Sequence, residues 1–440
     1  MDFGQKRIVL YSQHISGVGH HFRNREIIRA LSLVHEVYFV DGGREILGAD
    51  LPESVKIIRL PPIFRDPETG CLTSKNLTKD ISEVLSNRAR ILKDAISRIQ
   101  PDAFIIEFFP FAREEFTNEL IASIQKVRAQ NPEVKVLCSL RDIPRRSTSV
   151  DHSKYPPPSP SGPDFESELK YYLNSVSDKT ERNRRLKTFD YYKFVNDILN
   201  KHFDCLLIHA DKKITVLEDH YHWADHISIP IVYTGYISEK PSSSKNVVRY
   251  KSNSVENHCV LVSTGGGSEG YELAMPCVQA WKQLYQKGAT GERKMVIFLG
   301  TFSDQAQYQV LEKACSGGPF VLGKFVPNFL QWMQAADFSI SYAGYNTCMN
   351  ILETQTPALL VPNRSAGDQK FRALRLAELG LVERMNLGNA TSERIAMAIQ
   401  RGFTQVPISH DISLDGAERT CQFVTQIMSN ESDDVMCDFK

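Results

Sequence analysis

Residues 258–284 read HCVLVSTGGGSEGYELAMPCVQAWKQL. An apolar run is followed by a glycine-rich turn and then by apolar residues at helical spacing, which predicts a strand, a turn and a helix. Glycines let the backbone approach an anion closely, and the free N–H groups at the start of a helix favour one. The turn therefore predicts a phosphate-binding site, with a tight turn that holds no ligand as the alternative. It lacks the Gly-Lys-Ser/Thr ending of a P-loop and the spacing of the dinucleotide fingerprint, so it indicates neither ATP hydrolysis nor NAD binding.

The same alternation of strand and helix patterns extends along the whole chain. Short runs rich in Val, Ile, Leu and Phe alternate with segments of helical period, which is typical of parallel βαβ units. The predicted strands form two series, at residues 7–13, 35–40, 55–60, 103–108, 134–140 and 205–209, and at residues 258–263, 295–300, 320–325, 338–342 and 358–361. Helices are predicted over residues 77–99 and 114–129, among others. The pattern predicts an α/β protein with two doubly wound, Rossmann-like parallel sheets.

The length of the chain and one polar stretch indicate the division into domains. A chain of 440 residues is too long for a single ordinary core. Residues 238–257 are poor in apolar side chains and rich in Ser, Lys and Asn, which predicts a linker. We therefore expect an N-terminal domain over residues 1–237 and a C-terminal domain over residues 258–413. The remaining residues 414–440 begin with a helical pattern, and that helix packs either on the C-terminal domain or back on the first.

Composition excludes several classes of function. Basic and acidic residues number 52 each, so no overall charge attracts nucleic acid. Nine cysteines without a Cys-x-x-Cys pair, and a start without a secretory pattern, favour a cytoplasmic location. No apolar run is long enough to span a bilayer, which leaves peripheral membrane contact open. The sequence HYHWADH at residues 220–226 has no cysteine partners, so we expect surface chemistry there and no metal.

Two further turns of the second series carry polar groups. Residues 341–347 (SYAGYNT) follow a predicted strand and open a helix, so their N–H groups and a hydroxyl would face the same crevice as the glycine turn. Residues 361–369 (VPNRSAGDQ) end the next strand and offer a carboxylate and an amide that can bind sugar hydroxyls. The alternative for Asp368 is a helix N-terminal charge or cap.

In this order the motifs resemble a known family. Residues 325–372 resemble the C-terminal donor domain of glycosyltransferase family 28, whose best-known member adds N-acetylglucosamine to the lipid precursor of peptidoglycan. The chain is more similar still to predicted bacterial glycosyltransferases with a Gly-Tyr-Asn-Thr motif, here at residues 344–347, and this similarity includes residues 17–20 (GVGH), 140–143 (LRDI) and 233–236 (YTGY). The resemblance implies the GT-B architecture, in which two domains face each other across a cleft.

The resemblance also implies a reaction. The expected enzyme is an inverting hexosyltransferase that moves a hexose or N-acetylhexosamine from a nucleotide-diphosphate sugar, with UDP as the expected nucleotide, to an acceptor hydroxyl. In this architecture helix dipoles and N–H groups stabilise the leaving diphosphate, so we expect neither a metal nor another cofactor. The acceptor stays open between lipid, carbohydrate and small molecule.

Carried over residue by residue, the resemblance implies a donor site of several parts. The diphosphate turn matches Gly265, Gly266, Gly267 and Ser268, with Gly300 and Thr301 beside it. The main-chain edge for the nucleobase matches Phe325 and Val326, and the turn at the α-phosphate matches Gly344, Tyr345, Asn346 and Thr347. The pair that holds the donor sugar matches Asp368 and Gln369, and the facing loop of the first domain matches Gly17 and Gly19. Asn350 stands where the family usually has a glutamate for the ribose hydroxyls. An amide accepts more weakly than a carboxylate, so we expect weaker ribose binding or a different donor.

Three residues of the first domain are candidates for the chemistry. His20 is the first candidate for general base, because the acceptor hydroxyl must lose a proton and a neutral imidazole can take it; the alternative is a phosphate contact or a cap. Glu107 is the reserve base, since its apolar setting would raise the pKa of the carboxyl group. Its alternative is a buried carboxylate paired with Arg113 or Arg141. Arg23 is expected to neutralise substrate phosphate, with an exposed helix arginine as the alternative.

Two other functions use the same fold. A nucleotide-sugar 2-epimerase would need further acid or base carboxylates in the cleft, where Glu107 is the one candidate from the sequence. A non-catalytic nucleotide-sugar-binding partner protein is favoured by the amide at Asn350. Replacement of His20 by alanine should keep nucleotide binding and lose most of the transfer activity, whereas a bulky residue at Gly266 should abolish binding.

Overall fold

The computed structural model describes residues 4–15, 19–45, 50–66, 69, 71–74, 80–144, 170, 178–241, 258–267, 269–326, 328–364 and 366–429. Most of the predicted linker and the last residues of the predicted tail lie outside these ranges.

The first part of the chain forms a sheet of seven parallel strands with helices packed on it. Its strands are β1 (Arg7–Ser12), β2 (Glu36–Asp41), β3 (Lys56–Arg59), β6 (Ala103–Glu107), β7 (Lys135–Leu140), β8 (Cys205–Ile208) and β9 (Ile231–Tyr233), and a separate hairpin contains β4 (Ile63–Arg65) and β5 (Leu72–Ser74). The helices are α1 (Gly19–Ser32), α2 (Ile81–Ile99), α3 (Thr117–Gln130) and α4 (Lys179–His202). The strand order is β3-β2-β1-β6-β7-β8-β9. The central strand β6 is buried along its whole length, which explains its unbroken apolar run up to Glu107.

The second part forms a sheet of six parallel strands. They are β10 (Cys259–Ser263), β11 (Lys294–Phe298), β12 (Phe320–Gly323), β13 (Ala336–Ser341), β14 (Ala358–Leu360) and β15 (Glu383–Arg384). The helices are α5 (Tyr271–Gln286), α6 (Gln305–Cys315), α7 (Phe329–Ala335), α8 (Tyr345–Thr354), α9 (Gly367–Glu378), α10 (Ser392–Gly402) and α11 (Gly416–Met428). The strand order is β12-β11-β10-β13-β14-β15.

Each sheet reverses its direction of winding at one place. The reversal lies between β1 and β6 in the first sheet and between β10 and β13 in the second. Loops that leave the carboxyl ends of neighbouring strands diverge at such a point and leave a crevice where ligands bind. The fold therefore gives each domain one natural binding edge.

The predicted α/β class and both series of parallel strands are confirmed. The strand predicted at residues 258–263 is Cys259–Ser263, and the helix predicted at 77–99 is Ile81–Ile99, whose preceding Asp80 side chain accepts a hydrogen bond of 3.1 Å from the Ser82 amide. The helix predicted at 114–129 begins as a 3-10 turn at Glu114–Phe116. The hairpin strands β4 and β5 and the short strands β9 and β15 were not predicted, because strands of two or three residues show no periodicity.

The last helix returns to the first domain. Phe423 and Val424 of α11 are buried in one apolar cluster with Ile27 of α1. His35 Nε2 lies 2.8 Å from the Thr425 hydroxyl. The chain thus crosses between the domains twice, once after β9 and once before α11, while the domain boundaries themselves stay a prediction. No described helix is both long and apolar enough to span a bilayer.

Candidate functional site

The loops at the two points of reversal line one cavity of about 280 Å³. It lies between the domains, because its wall includes side chains of α1 and of α8. The predicted donor-site residues in its wall are Gly19, Gly265, Gly266, Gly300, Thr301, Phe325, Val326, Gly344, Tyr345, Asn346, Thr347 and Asn350. Arg23 lines it as well. The tertiary structure therefore brings together residues of both domains that are far apart in the sequence, such as Gly19 and Gly344.

The glycine turn after β10 packs closely against the end of β11. Thr264 Oγ1 donates a hydrogen bond of 2.8 Å to the Leu299 carbonyl. Gly265 and Gly300 have φ angles of +72° and +95°, which favour glycine. A Cβ atom on Gly300 would lie 2.1 Å from the Gly265 carbonyl oxygen, whereas one on Gly265 would meet no atom within 4 Å. The contacts of Thr264 and Gly300 thus fix the turn on one side, and its other side is open to the cavity.

The start of α8 is fixed to the first domain. The Asn346 side chain donates a hydrogen bond of 3.0 Å to the Gly19 carbonyl. The Tyr345 hydroxyl donates to the His209 carbonyl at 3.1 Å and accepts from the Ile237 amide at 2.9 Å. Free N–H groups and the positive end of the helix dipole at Gly344 therefore face the cleft in a defined position.

Several predicted site residues do not line the cavity. Gly267, His20, Glu107, Asp368 and Gln369 are absent from its wall. Gly17 and Ser268 lie outside the described residues.

The predicted sugar-binding pair already has protein partners. Gln369 Oε1 accepts a hydrogen bond of 3.0 Å from the Asn363 amide. Asp368 Oδ2 lies 2.8 Å from Arg141 Nη2 and 3.4 Å from Arg372 Nη2. Burial alone would raise the pKa of Asp368, but the two guanidinium groups hold it below its ordinary value. Arg141 itself lines the cavity, so the Arg141 side chain connects Asp368 to the cavity wall.

His20 and Glu107 form a hydrogen-bonded pair at the reversal point of the first sheet. His20 Nδ1 lies 2.7 Å from Glu107 Oε1, and the His20 side chain is 12% exposed. An ionised carboxylate only accepts, so Nδ1 carries the proton and Nε2 keeps its lone pair. Burial lowers the pKa of His20 to about 4, although the charge of Glu107 opposes this. The imidazole is therefore neutral at pH 7.

The environment of Glu107 contradicts one prediction. The guanidinium of Arg23 contacts Oε1, and the Ser12 hydroxyl donates to Oε2 at 2.8 Å. Burial would raise the pKa of Glu107, but His20 and Arg23, with the hydrogen bonds, hold it well below its ordinary value. The expectation of a raised pKa is wrong, because polar donors meet the carboxyl group at the end of its apolar strand. The role of reserve base stays a prediction.

Arg23 is not the exposed helix arginine of the alternative interpretation. The residue is 2% exposed and donates to Glu107 through Nη2. Its Nε and Nη1 atoms are buried and have no hydrogen-bond partner among the described residues. Because Arg23 also lines the cavity, its guanidinium places a positive charge next to a bound ligand.

One group of cavity residues was not predicted from the sequence. Phe22, Arg25 and Glu26 line the cavity from α1, and Glu239 lines it from the segment after β9. The spacing of residues 22, 25 and 26 places them on one face of a helix, and this signal could have identified them together with Arg23. Glu239 gave no local signal, since it falls in the predicted linker.

No metal site is assigned to the described residues. The ring of His220, in the HYHWADH stretch, packs at 4.3 Å on the ring of Phe371 and does not line the cavity. Possible ligand atoms of His14, His21 and Asp41 lie within 4.8 Å of one another. However, His14 Nε2 donates to the Arg44 carbonyl at 2.8 Å and Asp41 Oδ1 accepts from the Gly43 amide at 3.1 Å. We assign no metal to this group, and the expectation of metal-independent chemistry stays a prediction.

Comparison with known proteins identifies the second domain and the fold. Residues 260–407 match the model of the glycosyltransferase family 28 C-terminal domain. A search of curated protein sequences gave no significant match. Among solved structures, a UDP-glucosyltransferase from Polygonum tinctorium that glucosylates indoxyl has a TM-score of 0.55 at 11% identity, with 97% of this chain and 100% of that chain covered.

Two further structures have the same fold. The glycosyltransferase VinC in complex with dTDP has a TM-score of 0.52 at 14% identity over 96% of this chain and 95% of its own. A protein from Listeria monocytogenes assigned as a UDP-N-acetylglucosamine 2-epimerase has a TM-score of 0.55 at 11% identity over 98% of both chains. At these identities the likeness concerns the fold, and the family match concerns the second domain. The chain has the GT-B fold of these glycosyltransferases, and its residues 260–407 match the family 28 C-terminal domain.

Proposed function

We propose that the protein transfers a hexose or N-acetylhexosamine from a UDP-sugar to an acceptor hydroxyl, with inversion at the anomeric carbon and without a metal. The observation that carries this proposal is the His20–Glu107 pair beside a cavity lined by two phosphate-type turns. The pair supplies a base, and the turns supply a place for a diphosphate.

His20 is the proposed general base. The acceptor oxygen attacks the anomeric carbon, the bond from that carbon to the β-phosphate oxygen breaks, and the hydroxyl proton moves to His20 Nε2. Glu107 is not a second base in this scheme. Its carboxylate fixes the tautomer and orientation of the imidazole and stabilises the imidazolium that forms, at a hydrogen-bond distance of 2.7 Å.

Backbone and guanidinium donors are proposed to receive the charge of the leaving diphosphate. Gly265, Gly266 and the start of α8 at Gly344 line one side of the cavity. Arg23 brings the positive charge of its guanidinium from the other side. Donors that are already oriented before the reaction stabilise developing charge without a metal ion.

The main experiment compares two histidine variants. His20→Ala should bind UDP with a dissociation constant within about twofold of wild type but lose roughly 10²- to 10⁴-fold in sugar transfer, the usual range for a general base. His222→Ala, which changes an exposed histidine, should keep both. Binding is measured by calorimetry, and transfer by UDP release from UDP-glucose and UDP-N-acetylglucosamine with lipid, glycan and phenolic acceptors. Normal transfer by His20→Ala would remove this residue from the mechanism.

A 2-epimerase is the second candidate, and one observation favours it. The cavity contains two carboxylates that the sequence did not indicate, Glu26 and Glu239. Incubation with UDP-N-acetylglucosamine and no acceptor separates the candidates, because an epimerase would convert it to the 2-epimer, which NMR detects. A transferase would leave the configuration at C2 unchanged.

A further inference from the structure

Glu239 lies on the segment that leaves the first sheet and runs along α8. The Ile237 amide donates to the Tyr345 hydroxyl at 2.9 Å, and the Ser238 hydroxyl lies 3.5 Å from the Met349 carbonyl. These contacts hold the segment against the second domain. Glu239 and Asn350 consequently line the same cavity.

The carboxylate of Glu239 is only partly satisfied by the protein. Its Oε2 lies 3.1 Å from Arg25 Nη2, but the same guanidinium also donates to Glu26 at 2.8 Å. Oε1 of Glu239 has no hydrogen-bond partner in the described parts of the chain, and the side chain is 30% exposed. Burial raises the pKa of Glu239, with Arg25 opposing it. A partly buried carboxylate oxygen without a donor favours a ligand that brings hydroxyl groups.

Neighbouring side chains indicate which part of a nucleotide lies there. The Arg25 guanidinium is 5.0 Å from the centre of the Phe22 ring, which in turn is 6.1 Å from the ring of Phe325. Aromatic faces suit a nucleobase, whereas a carboxylate repels phosphate. Glu239, paired with Arg25, therefore borders the nucleoside end of the cavity.

We propose that Glu239 accepts a hydrogen bond from a ribose hydroxyl of the donor, with the Asn350 amide as a second acceptor. In this way the segment between the domains selects ribonucleotide over 2′-deoxyribonucleotide donors. The inference rests on the proposed function, because it requires a nucleoside diphosphate in the cavity. A nucleotide without the 2′-hydroxyl would leave the carboxylate oxygen desolvated and unpaired, which weakens binding.

The test compares UDP with 2′-deoxy-UDP by calorimetry on the full chain. Wild type should bind UDP about tenfold more tightly, as expected for one charge-assisted hydrogen bond. Glu239→Gln should weaken UDP about tenfold and leave 2′-deoxy-UDP within about twofold, so that the preference disappears. Glu353→Gln is the matched control, since this residue lies on α8, pairs with Lys240 at 3.0 Å and does not line the cavity. It should keep the wild-type preference.

The outcomes separate this inference from the proposed function. Equal binding of both nucleotides by wild type, or an unchanged preference in Glu239→Gln, would overturn the role of Glu239 alone. Wild type that binds neither nucleotide would contradict the proposed UDP donor and this inference with it. If circular dichroism shows that Glu239→Gln does not fold, Glu239→Asp replaces it. The shorter side chain should reduce the preference, and a full wild-type preference would overturn the proposal.

Discussion

His20 and Glu107 are 87 residues apart in the chain and 2.7 Å apart in space. Their contact follows from the parallel sheet, because β1 and β6 are neighbours and their carboxyl ends lie at one edge. The turn with His20 was predictable from its glycines and from the strand before it. The role of Glu107 was not, because the protonation of a buried carboxyl group depends on the donors that surround it.

The fall of kcat/KM at acid pH tests whether the His20 imidazole is neutral at pH 7. Since burial lowers its pKa to about 4, the base is neutral at pH 7 and becomes protonated as the pH falls through that value. We expect kcat/KM to stay near its maximum down to about pH 5 and to fall by about tenfold per pH unit below pH 4, as for one essential base. A fall centred near the ordinary pKa of histidine would contradict the proposed environment. Circular dichroism at each pH separates loss of the base from unfolding.

At the scale of elements, the helices and strands follow from periodicity and from turn residues. The unbroken apolar run of β6 predicts a central parallel strand, and glycines with positive φ are needed where β10 and β11 end. Local pattern therefore identified these elements. It did not show that the Gly300 backbone packs against the Gly265 carbonyl, because that contact joins two different loops.

Two glycines with positive φ provide a matched pair of variants. Gly300→Ala should lower the free energy of unfolding by about 2–4 kcal/mol, the sum of backbone strain and overpacking, and should remove UDP binding. Gly317→Ala, at φ +74° with no atom within 4 Å of the new Cβ, should cost only the strain of about 1–2 kcal/mol and keep UDP binding. Chemical denaturation and calorimetry measure both quantities. Equal losses in the two variants would show that the contact between the loops is unimportant.

At the scale of the whole molecule, a buried ion pair joins the domains. Asp142 follows β7, and Arg372 lies on α9 of the second domain; both are 0% exposed. Arg372 Nε and Nη2 lie 2.7 and 3.1 Å from the two oxygens of Asp142, and Nη1 donates to the Ala343 carbonyl at 2.6 Å. The pair fixes the first domain next to the strand end that precedes α8. It therefore contributes to the shape of the cavity.

Removal of one partner should destabilise the protein strongly. Asp142→Asn removes the fully buried counterion of Arg372 and leaves only Asp368, whose Oδ2 is 3.4 Å from Nη2. We expect a loss of about 3–5 kcal/mol in the apparent free energy of unfolding. The double change Asp142→Leu with Arg372→Met should recover part of this loss, since it leaves no unpaired charge. Asp197→Asn, which breaks an exposed pair with Lys193, should have no measurable effect. A similarly small effect for Asp142→Asn would mean that the interdomain pair does not stabilise the fold.

Local sequence pattern was sufficient for the two parallel sheets, the glycine turns and the histidine that follows β1. These features depend on hydrophobic period and on backbone sterics, which act over a few residues. The inward position of Arg23, the ionised state of Glu107 and the presence of Glu239 in the cavity emerged only with the fold. They depend on burial and on charges from distant parts of the chain, as for Arg23 and Glu107, which are 84 positions apart. Electrostatic energies follow distance in space and exposure to solvent, and neither can be read along a sequence.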